Sequence, residues 1–430
     1  MTVLPLNGMI ECGPHRRPTL APGGRLCRGS HSGAGHGRRG RCGHWSSLQG
    51  SIDAAGDTRP MRVGIDARLV YYHQAGTARY CLQLMRALAA VDKEDQFVIL
   101  QSRRDQRELV SQANFQTRKV WTPSHHRLEQ PLLSMELRLT PLDVLHSPDF
   151  IPPFRRRCRS IITIHDLAFL LYPQFLTKAS ARYYGQIDQA VRHTDHIIAV
   201  SESTRRDIVR LLGVPEQMIT VVYEAPRRHF QRLPGGDSMQ RLQQRFGLAR
   251  DFVLFVGTIE PRKNIPTLLS AFQQVLSHYH PEVDLVLAGA PGWLTDEVYG
   301  LVNRLGLTGR VHFLGRVSDD ELIWLYNSAR MLVLPSFYEG FGLPPLEAMA
   351  CGCPVIVSNV SSLPEVVGDA GLVFDPLDAD ALTVAIWRLL SDESLRQELV
   401  DKGLKRAAWF SWERSARETL DLYRRVANQA

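Results

Sequence analysis

The chain has no run of about 18 or more uncharged apolar residues, so no membrane-spanning helix is expected. Aromatic residues make up 8 % and charged residues 22 %, against 44 % hydrophobic, a balance that fits a globular protein and excludes a fibrous or low-complexity one. Cysteine is scarce as well, with seven in 430 residues. Cys12, Cys27 and Cys42 lie near the N-terminus, whereas Cys81, Cys158, Cys351 and Cys353 sit in apolar or strand-like settings. That density builds no disulfide scaffold and fits a reducing cytosol. Cys351-Gly-Cys353 alone makes a poor metal pair, because small residues before a strand are ordinary. Acidic metal motifs are also missing. Ser318-Asp-Asp-Glu321 reads as a helix-capping box running into Leu322–Tyr326, and no D-x-D stands at another predicted strand end. No metal and no other cofactor is therefore expected.

Positive charge is unevenly spread. Residues 1–60 hold eight arginines against Glu11, Asp53 and Asp57, so +5 of the formal +7 lies there. The high isoelectric point thus belongs to a terminal segment and does not mark the body as a nucleic-acid binder. Gly33–Gly43 (GAGHGRRGRCG) shows neither helical nor strand period, and too little apolar surface is present to offset chain entropy. A disordered basic extension is expected over 1–60. An upstream translation start, with Met61 as the natural one, is the favoured explanation. A basic arm and an Arg-rich targeting peptide are the alternatives, although a secretory signal's apolar core is missing.

From Met61 the pattern changes. Strands are predicted at MRVGIDARL, Phe97–Leu100, Val144–His146, Ile161–Ile164 and Ile197–Val200, with helices at Ala78–Ala90 and Ala179–Arg192 between them. Glu224–Asp237 carries Pro226, Pro234 and Gly235-Gly236 and reads as a linker. A second series follows, with strands Phe252–Val256, Leu285–Ala288, Val311–Leu314, Met331–Leu334 and Val355–Ser358 and a helix at Ile265–Ser277. Alternating β and α predicts an α/β chain of two doubly wound parallel-sheet domains. Their ligand loops, at the strand C-terminal ends, would face a shared cleft.

Four loops carry chemistry. In Pro335–Glu347 (PSFYEGFGLPPLE), Gly340 and Gly342 let backbone approach a ligand. The amides of Phe341, Gly342 and Leu343 open a helix where an anion is favoured. Glu339 and Glu347 bracket that loop and suit vicinal hydroxyls, such as those of a sugar and a ribose. The plainer alternative is a surface turn with a dipole-favoured glutamate. In Phe255–Asn264 (FVGTIEPRKN) a strand ends at Gly257, and Arg262 with Lys263 precedes a helix. A guanidinium beside an ammonium suits a diphosphate, and a solvated basic pair is the alternative. Gly76-Thr77 opens the GTARY helix after the first strand, a place for phosphate or acceptor or simply a helix start. His165-Asp166 stands at a strand end, where α/β sites form, although a lone histidine is often structural.

Together these motifs resemble glycosyltransferase family 4, retaining enzymes of GT-B architecture. The resemblance is carried by Glu339–Glu347 with its E-x7-E spacing, Gly257–Asn264, His165–Leu167 (HDL) and Val200–Ile208 (VSESTRRDI), and it runs from Met61 to about residue 428. It implies that Arg262 and Lys263 contact a donor diphosphate and that Glu347 binds the ribose. Glu339 and the Phe341–Leu343 backbone would hold the transferred sugar. His165 would lie beside that sugar, Gly76 and Thr77 would border phosphate and acceptor, and Arg316-Val317 would face the base. Many relatives carry glycine where Ala78 stands, a departure in the first loop. Retention in the family is explained by same-face attack, with the leaving phosphate taking the acceptor proton.

Outside the basic extension 1–60, which composition sets apart, the resemblance implies an N-terminal acceptor-side domain 61–230, a nucleotide-sugar domain 231–410, and a last helix in 411–430 packing back on the first domain. The expected function is hexose transfer from a nucleotide-diphosphate sugar, with a GDP-mannose-type donor suggested by the I-E-P-R-K-N form, to a glycan or lipid-linked acceptor. The alternatives are a glycoside phosphorylase on the same fold and a non-catalytic sugar-nucleotide binder. A cytoplasmic place is expected, peripheral on the inner membrane face if Phe154–Arg159 (FRRRCR) meets anionic lipid. No nucleic-acid partner is expected.

Overall fold

The structure, a computed structural model, describes residues 59–72, 76–126, 128–173, 183–292 and 295–429. The expectation about the basic extension falls on residues outside these, apart from Arg59 and Pro60. All the described residues belong to one compact unit, Thr58–Ala430.

Among the described residues the first sheet holds β1 (Arg62–Asp66), β2 (Gln96–Ser102), β3 (Phe115–Val120), β4 (Val144–Ser147), β5 (Arg159–Ile164), β6 (His196–Ala199) and β7 (Ile219–Val221). Their order is β3-β2-β1-β4-β5-β6-β7, and every pairing is parallel. The second sheet holds β8 (Asp251–Val256), β9 (Val283–Ala288), β10 (Val311–Gly315), β11 (Met331–Leu334), β12 (Val355–Ser358) and β13 (Gly371–Phe374). It runs β10-β9-β8-β11-β12-β13, again all parallel. Both orders reverse beside their first strand, at β1/β4 and β8/β11. In doubly wound sheets the crevice outside such a reversal is where ligands bind.

The central strands are apolar on both faces because helices cover both. Val144, Leu145, Ile161, Ile162, Leu332 and Val333 are fully buried. The edge strands β10 and β13 are only half covered. Helix Gly76–Val91 packs against the last helix, Trp412–Ala427, whose Tyr423 Oη lies 2.6 Å from His146 Nδ1 on β4. Arg424 of the same helix pairs with Asp92 and Asp95 at 3.0 and 3.1 Å. The chain's last helix thus covers the first sheet although it follows the second domain in sequence.

The helix expected over Ala179–Arg192 is interrupted where it is described. Tyr183-Tyr184 and Ile187–Arg192 are helical, Gly185-Gln186 between them is a turn, and 179–182 lie outside the described residues. Gly185 disfavours helix continuation there. Ser318–Glu321 forms the capping box in full, with the Ser318 hydroxyl accepting from Glu321 N and the Glu321 carboxylate accepting from Ser318 N. Cys351 and Cys353 are buried free thiols, and among the described residues no cluster of histidine, cysteine and carboxylates suits a metal.

Candidate active site

The cluster starts from two loops at the β8/β11 reversal. After β8 the chain reaches a short turn at Pro261–Lys263, closed by Asn264 in the left-handed region at φ 53°. The Asn264 amide donates to the carbonyls of Pro335 and Pro376 at 3.1 and 2.7 Å, which ties this turn to the loop after β11. The turn aims Arg262 and Lys263 at Glu339. Lys263 Nζ donates to Glu339 Oε1 at 2.6 Å, and Arg262 reaches Glu339 Oε2 at 3.4 Å and the Tyr338 carbonyl at 2.7 Å. Ser336 Oγ adds a bond to Glu339 Oε1 at 2.6 Å. Glu339 is buried, and burial favours its neutral form. Lys263 and Arg262 outweigh that and hold the carboxyl below its ordinary range. Arg262 stays charged because Glu339 and Glu260 outweigh its own desolvation. Arg262 also pairs with Glu260 at 2.7 Å, so two cations meet two carboxylates at this strand-end crevice, and an anionic ligand is held there by drawing a cation away from a carboxylate.

Past Glu339 the loop turns into helix Leu343–Ala350. Gly342 is its N-cap at φ 107°, a conformation that suits glycine, and no side chain caps the helix. Ser362 Oγ instead braces the loop through the carbonyls of Glu339 and Phe341, at 2.9 and 2.7 Å. Glu347, one turn inside, is buried and bonded to Arg227 Nε at 2.9 Å. Burial lifts its carboxyl pKa above the ordinary value, and Arg227 offsets this only in part. Gly257, directly after β8, faces the Lys263 stem, and Gly289 lies against its carbonyl so closely that a side-chain carbon at Gly289 would stand 1.9 Å from it.

The first domain presents His165 just after β5. Its Nδ1 lies 3.0 Å from Glu224 Oε1 and its Nε2 lies 2.9 Å from the Pro148 carbonyl. Tyr80 meets the ring edge-to-face at 4.7 Å between centroids. The two domains touch here. A methyl group at Gly340 would lie 2.0 Å from the His165 carbonyl oxygen. Ser201 Oγ and Thr204 Oγ1 donate to the Gly340 carbonyl at 2.7 and 3.1 Å. Tyr338 Oη donates to Asp207 Oδ2 at 2.8 Å, and Glu365 accepts from the amides of Glu202 and Ser203. The structure therefore brings His165, Arg262, Lys263 and Glu339 to one interdomain seam.

Gly76 and Thr77 open helix Gly76–Val91, with 73–75 outside the described residues, and Gly76 has open space where a side chain would be. Arg316 is exposed after β10, and Val317 packs against the core. Two residues on, Asp319 meets Arg79 of the Gly76 helix at 3.7 Å and also pairs with Arg227. The Arg316 loop and the Gly76 helix thus border the Glu347 end of the seam. Sequence reasoning missed Arg227, Glu224, Asp319 and Ser336. The cue was present in E-A-P-R, where two charged residues sit inside a stretch read only as linker.

Comparison with known proteins agrees with this architecture. Residues 75–225 match the family described as Glycosyltransferase Family 4, and residues 239–406 match Glycosyl transferases group 1. The chain belongs to glycosyltransferase family 4 and has the GT-B fold of two facing Rossmann-like domains. It is similar to an O-antigen chain mannosyltransferase B of Escherichia coli, 34 % identical over 384 residues, which span 85 % of this chain and 100 % of that one. It also resembles an MMP alpha-(1->4)-mannosyltransferase of Mycolicibacterium hassiacum, 32 % identical, covering 57 % of this chain and 58 % of the other. Among solved structures, a sucrose-phosphate synthase from Thermosynechococcus elongatus superposes with a TM-score of 0.69 at 23 % identity, covering 86 % of this chain and 100 % of that one. The Anabaena HepE structure in complex with UDP and glucose superposes at 0.67 and 18 % identity, covering 85 % and 100 %. These two likenesses concern the fold.

Proposed function

We propose that this glycosyltransferase moves a hexose from a GDP-mannose-type donor to a glycan or lipid-linked acceptor, with retention of anomeric configuration and without a metal. The observation that carries this is the Arg262–Lys263–Glu339 cluster at the β8/β11 reversal, facing an uncapped helix N-terminus. The mannosyltransferase relatives support the donor class.

Arg262, Lys263 and the Phe341–Leu343 amides bind the diphosphate. As the anomeric bond breaks they stabilise the growing phosphate charge. Glu347 takes the ribose hydroxyls once Arg227 gives up one carboxylate oxygen to them. Glu339, released in part from Lys263 by the incoming phosphate, accepts hydroxyls of the transferred sugar. Gly76 and Thr77 border the acceptor, Gly257 leaves room for the phosphates, and Arg316-Val317 faces the base. No carboxylate of the seam is offered as nucleophile. Same-face attack, with the acceptor proton passing to the leaving phosphate, accounts for retention.

A membrane surface is the proposed place of action. No helix among the described residues is long and apolar enough to cross a membrane. A groove of about 750 Å³ runs between the exposed Met135, Arg138 and Leu139 and the exposed Arg155 and Arg157. Apolar side chains beside guanidinium groups suit an anionic lipid interface.

The deciding experiment incubates the full chain with α-configured GDP-mannose and a mannosylated glycan acceptor and reads the product's anomeric proton by NMR. An α-linked product supports retaining transfer. A β-linked product would rule retention out, and sugar 1-phosphate formed from a disaccharide with inorganic phosphate would favour the phosphorylase alternative.

A further inference from the structure

Resting on the reading that His165 borders the transferred sugar, we infer that Glu224 is a positioning residue that keeps His165 a fixed cation with no lone pair to offer. A backbone carbonyl can only accept, so the contact of His165 Nε2 with the Pro148 oxygen at 2.9 Å requires a proton on that nitrogen. Nδ1, at 3.0 Å from Glu224 Oε1, then has two options. It donates to the carboxylate, or it accepts from a protonated Glu224. In neither case is a ring nitrogen left for the proton of an attacking hydroxyl. The ordinary basicity of imidazole exceeds that of a carboxylate, so the shared proton rests on the ring.

The other groups around the ring agree with this assignment. Tyr80, from helix Gly76–Val91, fixes the ring edge-to-face, and its own hydroxyl lies 3.3 Å from Thr163 Oγ1. Burial keeps that phenol neutral. Asp149, next to Pro148, adds negative potential and is held ionised by its bonds to His125 and Tyr183, against the pull of burial. Asp166 follows in the chain and bonds the Ala168 amide. His146 on β4 is pushed down to about 3 by burial and by the charge of His165, and so remains neutral. Burial opposes the charge of His165, but Glu224 outweighs it and its pKa is raised. One imidazolium, with Glu224 as its principal counter-ion, thus stands at the seam.

The consequence is a division of labour. His165 supplies static positive potential where the leaving diphosphate gains charge, and proton removal from the acceptor is left to the phosphate itself. Because Glu224 sits in the loop after β7, the charge state of the seam is set by the segment that joins the two domains.

The test uses full-length chain with 13C-labelled histidine, the His165 signal being assigned by its absence in His165→Gln. The wild-type ring is expected to titrate above the ordinary histidine value. In Glu224→Gln its midpoint should fall by about one pH unit or more. In parallel, transfer from GDP-mannose should lose kcat on the alkaline side. That limb should move to lower pH in Glu224→Gln, move back in Glu224→Asp, and leave donor KM within about threefold. An unmoved His165 titration in Glu224→Gln would overturn the assignment, as would a uniform loss of kcat with the limb in place. Wild-type kcat in His165→Gln would instead remove His165 from the sugar site, and the NMR midpoint would still decide the role of Glu224.

Discussion

Lys263 Nζ lies 2.6 Å from Glu339 Oε1, and both side chains are more than nine-tenths buried. Each offsets the other's charge away from water. Removing the ammonium leaves a buried carboxylate with only the Ser336 hydroxyl at 2.6 Å and Arg262 at 3.4 Å. Lys263→Ala is therefore expected to cost about 3 kcal/mol of stability, because breaking one side of a buried pair leaves the other uncompensated. Adding Glu339→Gln should recover most of it. Urea denaturation of the single and double variants checks this, and equal stability for the two would contradict the buried-pair account.

Arg262 has a different profile. Its side chain is 19 % exposed, about twice as much as that of Lys263, and it pairs with Glu260 and with the Tyr338 carbonyl, both at 2.7 Å. Water can replace it there, so Arg262→Ala should keep the fold. A cation that stabilises the departing diphosphate acts more strongly in the transition state than in the ground state. Loss of about a hundredfold in kcat is expected, equivalent to about 3 kcal/mol. Glu347→Ala should act chiefly on donor KM, since ribose gains little charge. Steady-state kinetics with GDP-mannose separates the two, and wild-type kcat in Arg262→Ala would mark the arginine as structural.

Closure of the two domains can be tested at a single atom. An alanine methyl at Gly340 would lie 2.0 Å from the His165 carbonyl oxygen, a backbone atom that cannot step aside alone. Gly340→Ala should hold the domains apart, abolish transfer by at least about a hundredfold and leave nucleotide binding to the second domain intact. Small-angle scattering should show a larger radius of gyration. An unchanged radius together with full activity would mean the seam is not the working arrangement.

The seam's charges also predict a pH response with two limbs of opposite sign. Glu339 has a folded pKa below its ordinary 4.5, so its contribution to stability is complete above that value and is lost as pH falls through the folded pKa. His165 has a folded pKa above its ordinary 6.5, so its contribution is complete below that value and is lost as pH rises through the folded pKa. The Tm difference between wild type and Glu339→Gln should shrink in acid, and that between wild type and His165→Gln should shrink in alkali. Differences that do not vary with pH would contradict the ionised forms assigned here.

Most of the fold was legible because its central strands are continuous apolar runs. Ile161–Ile164, Met331–Leu334 and Val355–Ser358 are buried on both faces and leave no other option. Of the edge strands, β10 was legible as Val311–Leu314, whereas β3, β7 and β13 were not. Phe115–Val120 reads FQTRKV, with a polar face open to solvent, and Ile219–Val221 is three residues long. Glycines, strand ends and charge spacing marked the four loops that meet at or border the seam, because those signals are local. Arg227 and Glu224 were missed because their partners, Glu347 and His165, are 120 and 59 residues away, and only packing brings them together.

The measurement that tests the central claim most directly is calorimetric titration of the full chain with GDP and GMP, repeated on Arg262→Ala and Glu347→Ala. A diphosphate clamp beside a ribose carboxylate predicts one GDP per chain, at least about tenfold weaker binding of GMP, and loss of GDP affinity in both variants by a similar factor. Equal binding of GMP and GDP, or GDP affinity untouched by both substitutions, would contradict it.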